Sequence, residues 1–149
     1  MKTILAKFGA VAFLTLTIFN SSSAATNSVV NVTLQDTSTG SGMTDMRITI
    51  DQEAIKAGRV TFQAENRSRT LIHEVIVVRT LARTAVLPYS EKQTRVIESR
   101  IRHLGEISDL KPGASGKLTL NLKPGYYLLI CNEPGHFKAG MKVPFEVHR

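Results

Sequence analysis

Three residues that carry electron-pair donors stand at even spacing in "LLICNEPGHFKAGMKVPFEV" (128–147): Cys131, His136 and Met141, in a C-x4-H-x4-M pattern. Cys131 is the single cysteine of the 149-residue chain. A thiolate, an imidazole and a thioether form a soft donor set, matched to copper rather than to magnesium or calcium. The thioether also separates the set from zinc sites, whose protein ligands are cysteine, histidine and carboxylates. Pro134 and Gly135 bend the chain after the cysteine, and Gly140 permits close backbone approach before the methionine. Each residue alone has a plainer reading, with Cys131 a small buried hydrophobe and Met141 core packing. Their joint placement on one loop between two strand-like segments favours a metal site.

Such a copper site needs a second histidine. His73, His103 and His148 are available besides His136. His148 is the penultimate residue and points away from Val143, Phe145 and Val147 if its strand is regular. His103 lies in a segment that reads as helix. His73 opens an apolar strand and shares parity with Val75 and Val77, so it points inward. An inward histidine alone is more often a hydrogen-bonded core residue. Together with the C-x4-H-x4-M loop it completes a ligand set.

The elements that position these residues are short strands separated by turn chemistry. "VVNVTLQ" (29–35) alternates apolar and polar, "TGSG" (39–42) breaks it, and "MRITI" (46–50) and "RVTFQAEN" (59–66) follow. "LIHEVIVV" (71–78) is apolar on both faces, as suits a central strand whose outer side is covered. "GKLTLNL" (116–122) lies between two "KPG" turns, and "YYLLIC" (126–131) and "KVPFEV" (142–147) flank the donor loop. Seven strands at this spacing predict an all-β, antiparallel β-sandwich. One segment departs from the pattern. "SEKQTRVIESRIRHLG" (90–105) has Ser90 and Gln93 at capping-box spacing, Ile97, Ile101 and Leu104 at helical spacing, and Gly105 as a stop. It predicts one short surface helix in a long connection, with Arg95, Arg100 and Arg102 on a solvated face.

The first 25 residues have Lys2 and Lys7, an apolar run from Phe8 to Phe19 and then small residues, the layout of a secretory signal peptide. Residues 26–149 then form one exported domain, periplasmic or extracellular, without a membrane span and monomeric. The net charge is +7, or +5 without the leader and its two lysines. A moderately basic exported domain suits acidic partners or anionic surfaces. Nucleic acid is not expected as a partner, because the charges are dispersed and aromatic residues make up only 6% of the chain. In an oxidising compartment one cysteine cannot form an internal disulfide, so Cys131 is buried and inert, joined to another chain, or held by a metal.

The sequence resembles the cupredoxins, the blue-copper family of plastocyanin and azurin. "AGRVTFQAEN", "HEVIVV" and above all "LKPGYYLLICNEPGHFKAGM" carry the resemblance, which covers nearly all of residues 26–149. It implies a Greek-key β-sandwich holding one copper ion. It implies His73, Cys131 and His136 as three strong equatorial ligands and Met141 as a weak axial one. Two positions depart from plastocyanin and azurin: Glu74 stands where an asparagine ties down the cysteine loop, and Asn132 where Ser or Thr is usual. The resemblance implies a type 1 centre that carries single electrons between redox partners. His136 would then be the exposed edge, Pro134, Gly135 and Phe137 an apolar rim, and Lys138 and Lys142 charges that favour an acidic redox protein or serve solubility alone. The alternative is a copper-trafficking or resistance protein with no obligatory electron transfer, with Met43 and Met46 as an auxiliary soft site. An enzyme is not expected: four histidines in all cannot fill the further clusters of a multicopper oxidase.

Overall fold

A computed structural model describes residues 27–38 and 44–149. The expected leader (1–25), the "TGSG" turn and Met43 lie outside the described residues. The strands in chain order are β1 (Asn27–Ser38), β2 (Thr44–Ile50), β3 (Ala54–Lys56), β4 (Gly58–Asn66), β5 (His73–Thr80), β6 (Tyr89–Ser90), β7 (Arg95–Val96), β8 (Arg102–Leu110), β9 (Ser115–Leu122), β10 (Gly125–Ile130) and β11 (Lys142–His148). Two sheets, ordered β2-β1-β4-β9 and β3-β11-β10-β5-β8, face each other, and β6 and β7 make a small separate hairpin. The expected all-β sandwich is present, and the chain passes from sheet to sheet in Greek-key fashion. The expectation of purely antiparallel pairing is corrected at two places. β1 pairs with β4, and β3 with β11, in parallel. These partners are joined through intervening strands rather than hairpins, which is what parallel pairing requires. Among the described residues no helix is long and apolar enough to cross a membrane.

Period-two alternation builds the main core. Val30, Val32 and Leu34 of β1 meet Val60, Phe62 and Ala64 of β4, and the second sheet supplies Val75, Val77, Tyr127, Leu129, Phe145 and Val147. β5 is buried on both faces, as its double apolar pattern requires. Its inner face carries His73, Val75 and Val77. Its outer face, with Ile76 and Val78, joins Leu87, Val96, Leu128, Ile130 and Phe137 in a second core.

The segment covering that outer face is where the helix was expected, and the expectation fails. Ser90 Oγ does accept the Gln93 amide, at 3.3 Å. Thr94 then turns left-handed, at φ +52°, and the chain closes a hairpin with Tyr89 opposite Val96. Only Glu98–Arg100 forms a single 3-10 turn, and Arg102–Leu110 runs antiparallel to β5. Ile97 and Ile101 thus flank the 3-10 turn in extended conformation and Leu104 falls on β8, so their helical spacing carries no common helix face. Burial of Val96 and Leu87 over β5 and β10 outweighs a weak local helix preference.

Asn66 holds the approach to His73. Fully buried, it donates from Nδ2 to the carbonyls of Leu71 (2.8 Å) and Leu110 (2.7 Å), and its Oδ1 accepts the Ser68 amide at 2.9 Å. Its own backbone bonds to Ala114 and Gly113 at 2.9 Å each. One residue, through its side chain and backbone together, therefore ties the end of β4, the loop into β5, the end of β8 and the β8–β9 turn. Asn66→Ala strands two carbonyls and an amide, and we expect it to lower stability by about 2–3 kcal/mol, read as a lower urea midpoint at unchanged slope.

Candidate metal centre

The loop between β10 and β11 is wound by its own backbone. The Cys131 amide donates to the Met141 carbonyl and the Met141 amide to the His136 carbonyl, both at 3.1 Å. The His136 amide donates to Glu133, and that of Ala139 to Gly135, each at 3.0 Å. Gly135 and Gly140 take φ of +83° and +117°. A Cβ on Gly140 would stand 3.0 Å from the Met46 carbonyl oxygen, so the loop packs on β2 only because no side chain is there. These bonds bring the backbones of Cys131, His136 and Met141 together. β5 brings His73 to the same point from the neighbouring strand.

Three donor atoms converge. His73 Nδ1 lies 3.2 Å from His136 Nδ1 and 3.8 Å from Cys131 Sγ, and His136 Nδ1 lies 3.4 Å from the same sulfur. A point equidistant from the three atoms lies about 2.0 Å from each, the length of a metal–imidazole bond and a few tenths short of a metal–thiolate bond. His73, Cys131 and Met141 are fully buried and His136 nearly so, at 9% exposed. Burial holds both imidazoles below the usual histidine range, in His73 helped by neighbouring His136 and opposed by Asp36. Burial likewise pushes the Cys131 thiol up to about 12, against amide hydrogen bonds that favour the thiolate. Neutral imidazoles are ready metal ligands, and the thiol loses its proton only on binding. The residues therefore fit one soft metal ion.

The two departures from the plastocyanin pattern form one brace. Glu74 faces the outer side of β5 and its Oε1 accepts the Asn132 amide at 3.0 Å, while the Glu74 amide donates to Cys131 Sγ at 3.5 Å. Burial raises the Glu74 carboxyl to about 7, opposed by that amide and reinforced by Glu133, Glu106 and Glu98. The Asn132 side chain then accepts the Val96 amide (2.6 Å) and donates to the Val96 carbonyl (3.0 Å) and Glu98 (2.8 Å). Gly135 bonds to the Thr94 carbonyl at 2.8 Å, Arg95 pairs with Glu133 at 3.0 Å, and Tyr89 stacks on Phe137. The connection before β8 is thereby fastened to the loop. The sequence offered no pointer to Val96 as a partner, since it read as part of a helix.

The expected rim is corrected. Phe137 is buried in the outer core, and His136 shows only a small edge beside exposed Pro134. Lys138 is paired with Glu91, and Lys142 lies over the Phe137 ring at 4.6 Å. His103 stands on β8, between Glu98 and Glu106, and His148 ends β11; neither approaches the cluster. Met46 packs half-buried against the main core.

No protein-family model matches the chain. No curated protein matches it in sequence. Solved structures do match in shape. Reduced auracyanin of Roseiflexus castenholzii is 19% identical, with a TM-score of 0.54 over 85% of this chain and 100% of its own. Rusticyanin of Thiobacillus ferrooxidans is 17% identical, with a TM-score of 0.56 over 84% and 79%. Auracyanin B is 21% identical, with a TM-score of 0.54 over 85% and 91%. These are cupredoxins, and the chain has the cupredoxin fold.

Asn132→Ala removes three hydrogen bonds between the loop and the connection. We expect about 2–3 kcal/mol of lost stability and faster hydrogen exchange at the Val96 amide. Exchange at Val96 equal to that of the unaltered protein would mean the connection is held without the Asn132 bonds, by its apolar contacts and the Gly135–Thr94 and Arg95–Glu133 pairings.

Proposed function

We propose that the protein is an exported, mononuclear type 1 copper protein that carries single electrons between redox partners. The observation that carries this reading is the triangle of His73 Nδ1, His136 Nδ1 and Cys131 Sγ around one point at bonding distance. Met141, whose backbone is bonded to Cys131 and His136, would supply the fourth donor to a bound copper ion. Its thioether is the feature that favours copper over zinc. Rusticyanin, similar in fold, is described as a copper protein, which supports the same metal here. A copper ion in such a site supplies a one-electron couple. The chain's part is to keep the donors still: β5 and the loop hold them in a buried, hydrogen-bonded frame, so little rearrangement accompanies a change of charge. Four protein donors leave no open position for a substrate, which favours a carrier over an enzyme. The small exposed edge of His136 would be the point where electrons enter and leave a bound copper ion, and the net positive charge favours an acidic protein partner by faster encounter.

The oxidised, copper-loaded protein is expected to absorb strongly in the visible through sulfur-to-copper charge transfer. His73→Ala abolishes or badly distorts that spectrum, while His103→Ala and His148→Ala leave it nearly unchanged. A colourless wild type with a freely titratable thiol overturns the reading.

Met141→Leu keeps volume and apolarity but deletes a donor that stabilises Cu(II) slightly more than Cu(I). It is expected to stay coloured, with a reduction potential raised by about 60 mV, one tenfold step for a one-electron couple. Met141→Gln, with a harder oxygen, lowers the potential. Equal potentials in all three proteins remove Met141 from the site.

A further inference from the structure

The inward row of β1 runs Val30, Val32, Leu34, and the next position on that face is 36. An aspartate stands where the alternation calls for an apolar residue. Its side chain is only 11% exposed. Among the described residues, Asp36 Oδ1 and His73 Nε2 are the buried side-chain atoms left without a hydrogen-bond partner. They face each other at 3.6 Å, a few tenths of an ångström beyond hydrogen-bonding range. The opposite ring nitrogen of His73 is the one that meets His136 and Cys131.

We propose that Asp36 is a positioning residue for His73, accepting its Nε2–H so that the Nδ1 lone pair is directed at the donor cluster. The proposal deepens the copper reading above and rests on it for its effect on potential. A carboxylate held against the far nitrogen does two things. It keeps the proton on Nε2, which fixes ring orientation and tautomer. It also makes the imidazole a stronger donor, which favours the more highly charged metal ion. No proton leaves the ring, and the geometry closes with a small movement of one side chain. A consequence follows for the metal-free protein. With His73 protonated at Nε2, the hydrogen in the 3.2 Å contact between the two Nδ1 atoms belongs to His136.

Asp36→Asn keeps the shape and an acceptor oxygen but removes the charge, and Asp36→Leu removes both. Long-range nitrogen–proton correlation of the imidazoles in the metal-free full chain should show His73 as the Nε2–H tautomer in wild type. In Asp36→Leu it should show a mixture. After copper loading, the reduction potential should rise in Asp36→Asn and further in Asp36→Leu. The rise in Asp36→Leu should correspond to about a tenfold loss of Cu(II) relative to Cu(I), or about 59 mV. A packing role alone would make leucine the milder change and would leave the tautomer untouched. An Nδ1–H tautomer of His73 in wild type, or unchanged potential in both variants, overturns the proposal. If Asp36→Leu does not fold, near-isosteric Asp36→Asn decides, a raised potential supporting Asp36 and an equal one excluding it. A wild type that takes up no copper sinks the copper reading instead, and the tautomer measurement, which needs no metal, then decides Asp36 alone.

Discussion

The hydrogen bond from the Asn132 amide to the buried Glu74 carboxylate joins the two segments whose side chains must meet. His73 comes from β5, while Cys131, His136 and Met141 come from a loop more than fifty residues later. Both residues of that bond sit next to a donor, Glu74 after His73 and Asn132 after Cys131. Holding the neighbours together therefore holds the donors together. Without an ion the donors are joined only by the contacts of His136 Nδ1 with His73 Nδ1 and Cys131 Sγ and the longer one between His73 and Cys131. Polar atoms left together in a core are costly unless their surroundings satisfy them.

The outer face of β5 explains why a long connection is kept. A strand apolar on both faces must be covered twice, once by the facing sheet and once by something else. Here the second cover is the hairpin and 3-10 turn before β8, with Leu87, Val96 and Tyr89 over Ile76, Val78, Leu128 and Phe137. Because Asn132 and Gly135 bond to this cover, the outer core and the donor loop form one packed unit. Glu74 lies between them, and its own burial raises its carboxyl.

Burial shapes the donors in opposite senses. It keeps the imidazoles neutral, which readies them as ligands, and it keeps the thiol protonated until a metal displaces the proton. The folded chain is thus arranged ahead of binding in geometry but not in charge. The same closure leaves His136 with only a narrow exposed edge, and Phe137 lies in the outer core rather than on an apolar rim.

The sequence by itself determined the alternating strands, the inward parity of His73 and the donor loop. Those features rest on period-two patterning and on turn residues, both of which are local. The sandwich class and the candidate set His73, Cys131, His136 and Met141 were legible for that reason. What the tertiary structure decided was everything set by contacts distant in sequence. Local spacing over 90–105 reads as helix, yet the need to cover β5 and β10 draws Val96 inward and opens the segment into a hairpin and a strand. Parallel pairing of β1 with β4 was hidden because no turn signal marks it. Glu74 read as a departure from a pattern, and only its meeting with Asn132 shows the work it does. Asp36 interrupts an apolar row without any motif around it. Its relation to His73 exists only because the two sheets place their inner faces against each other.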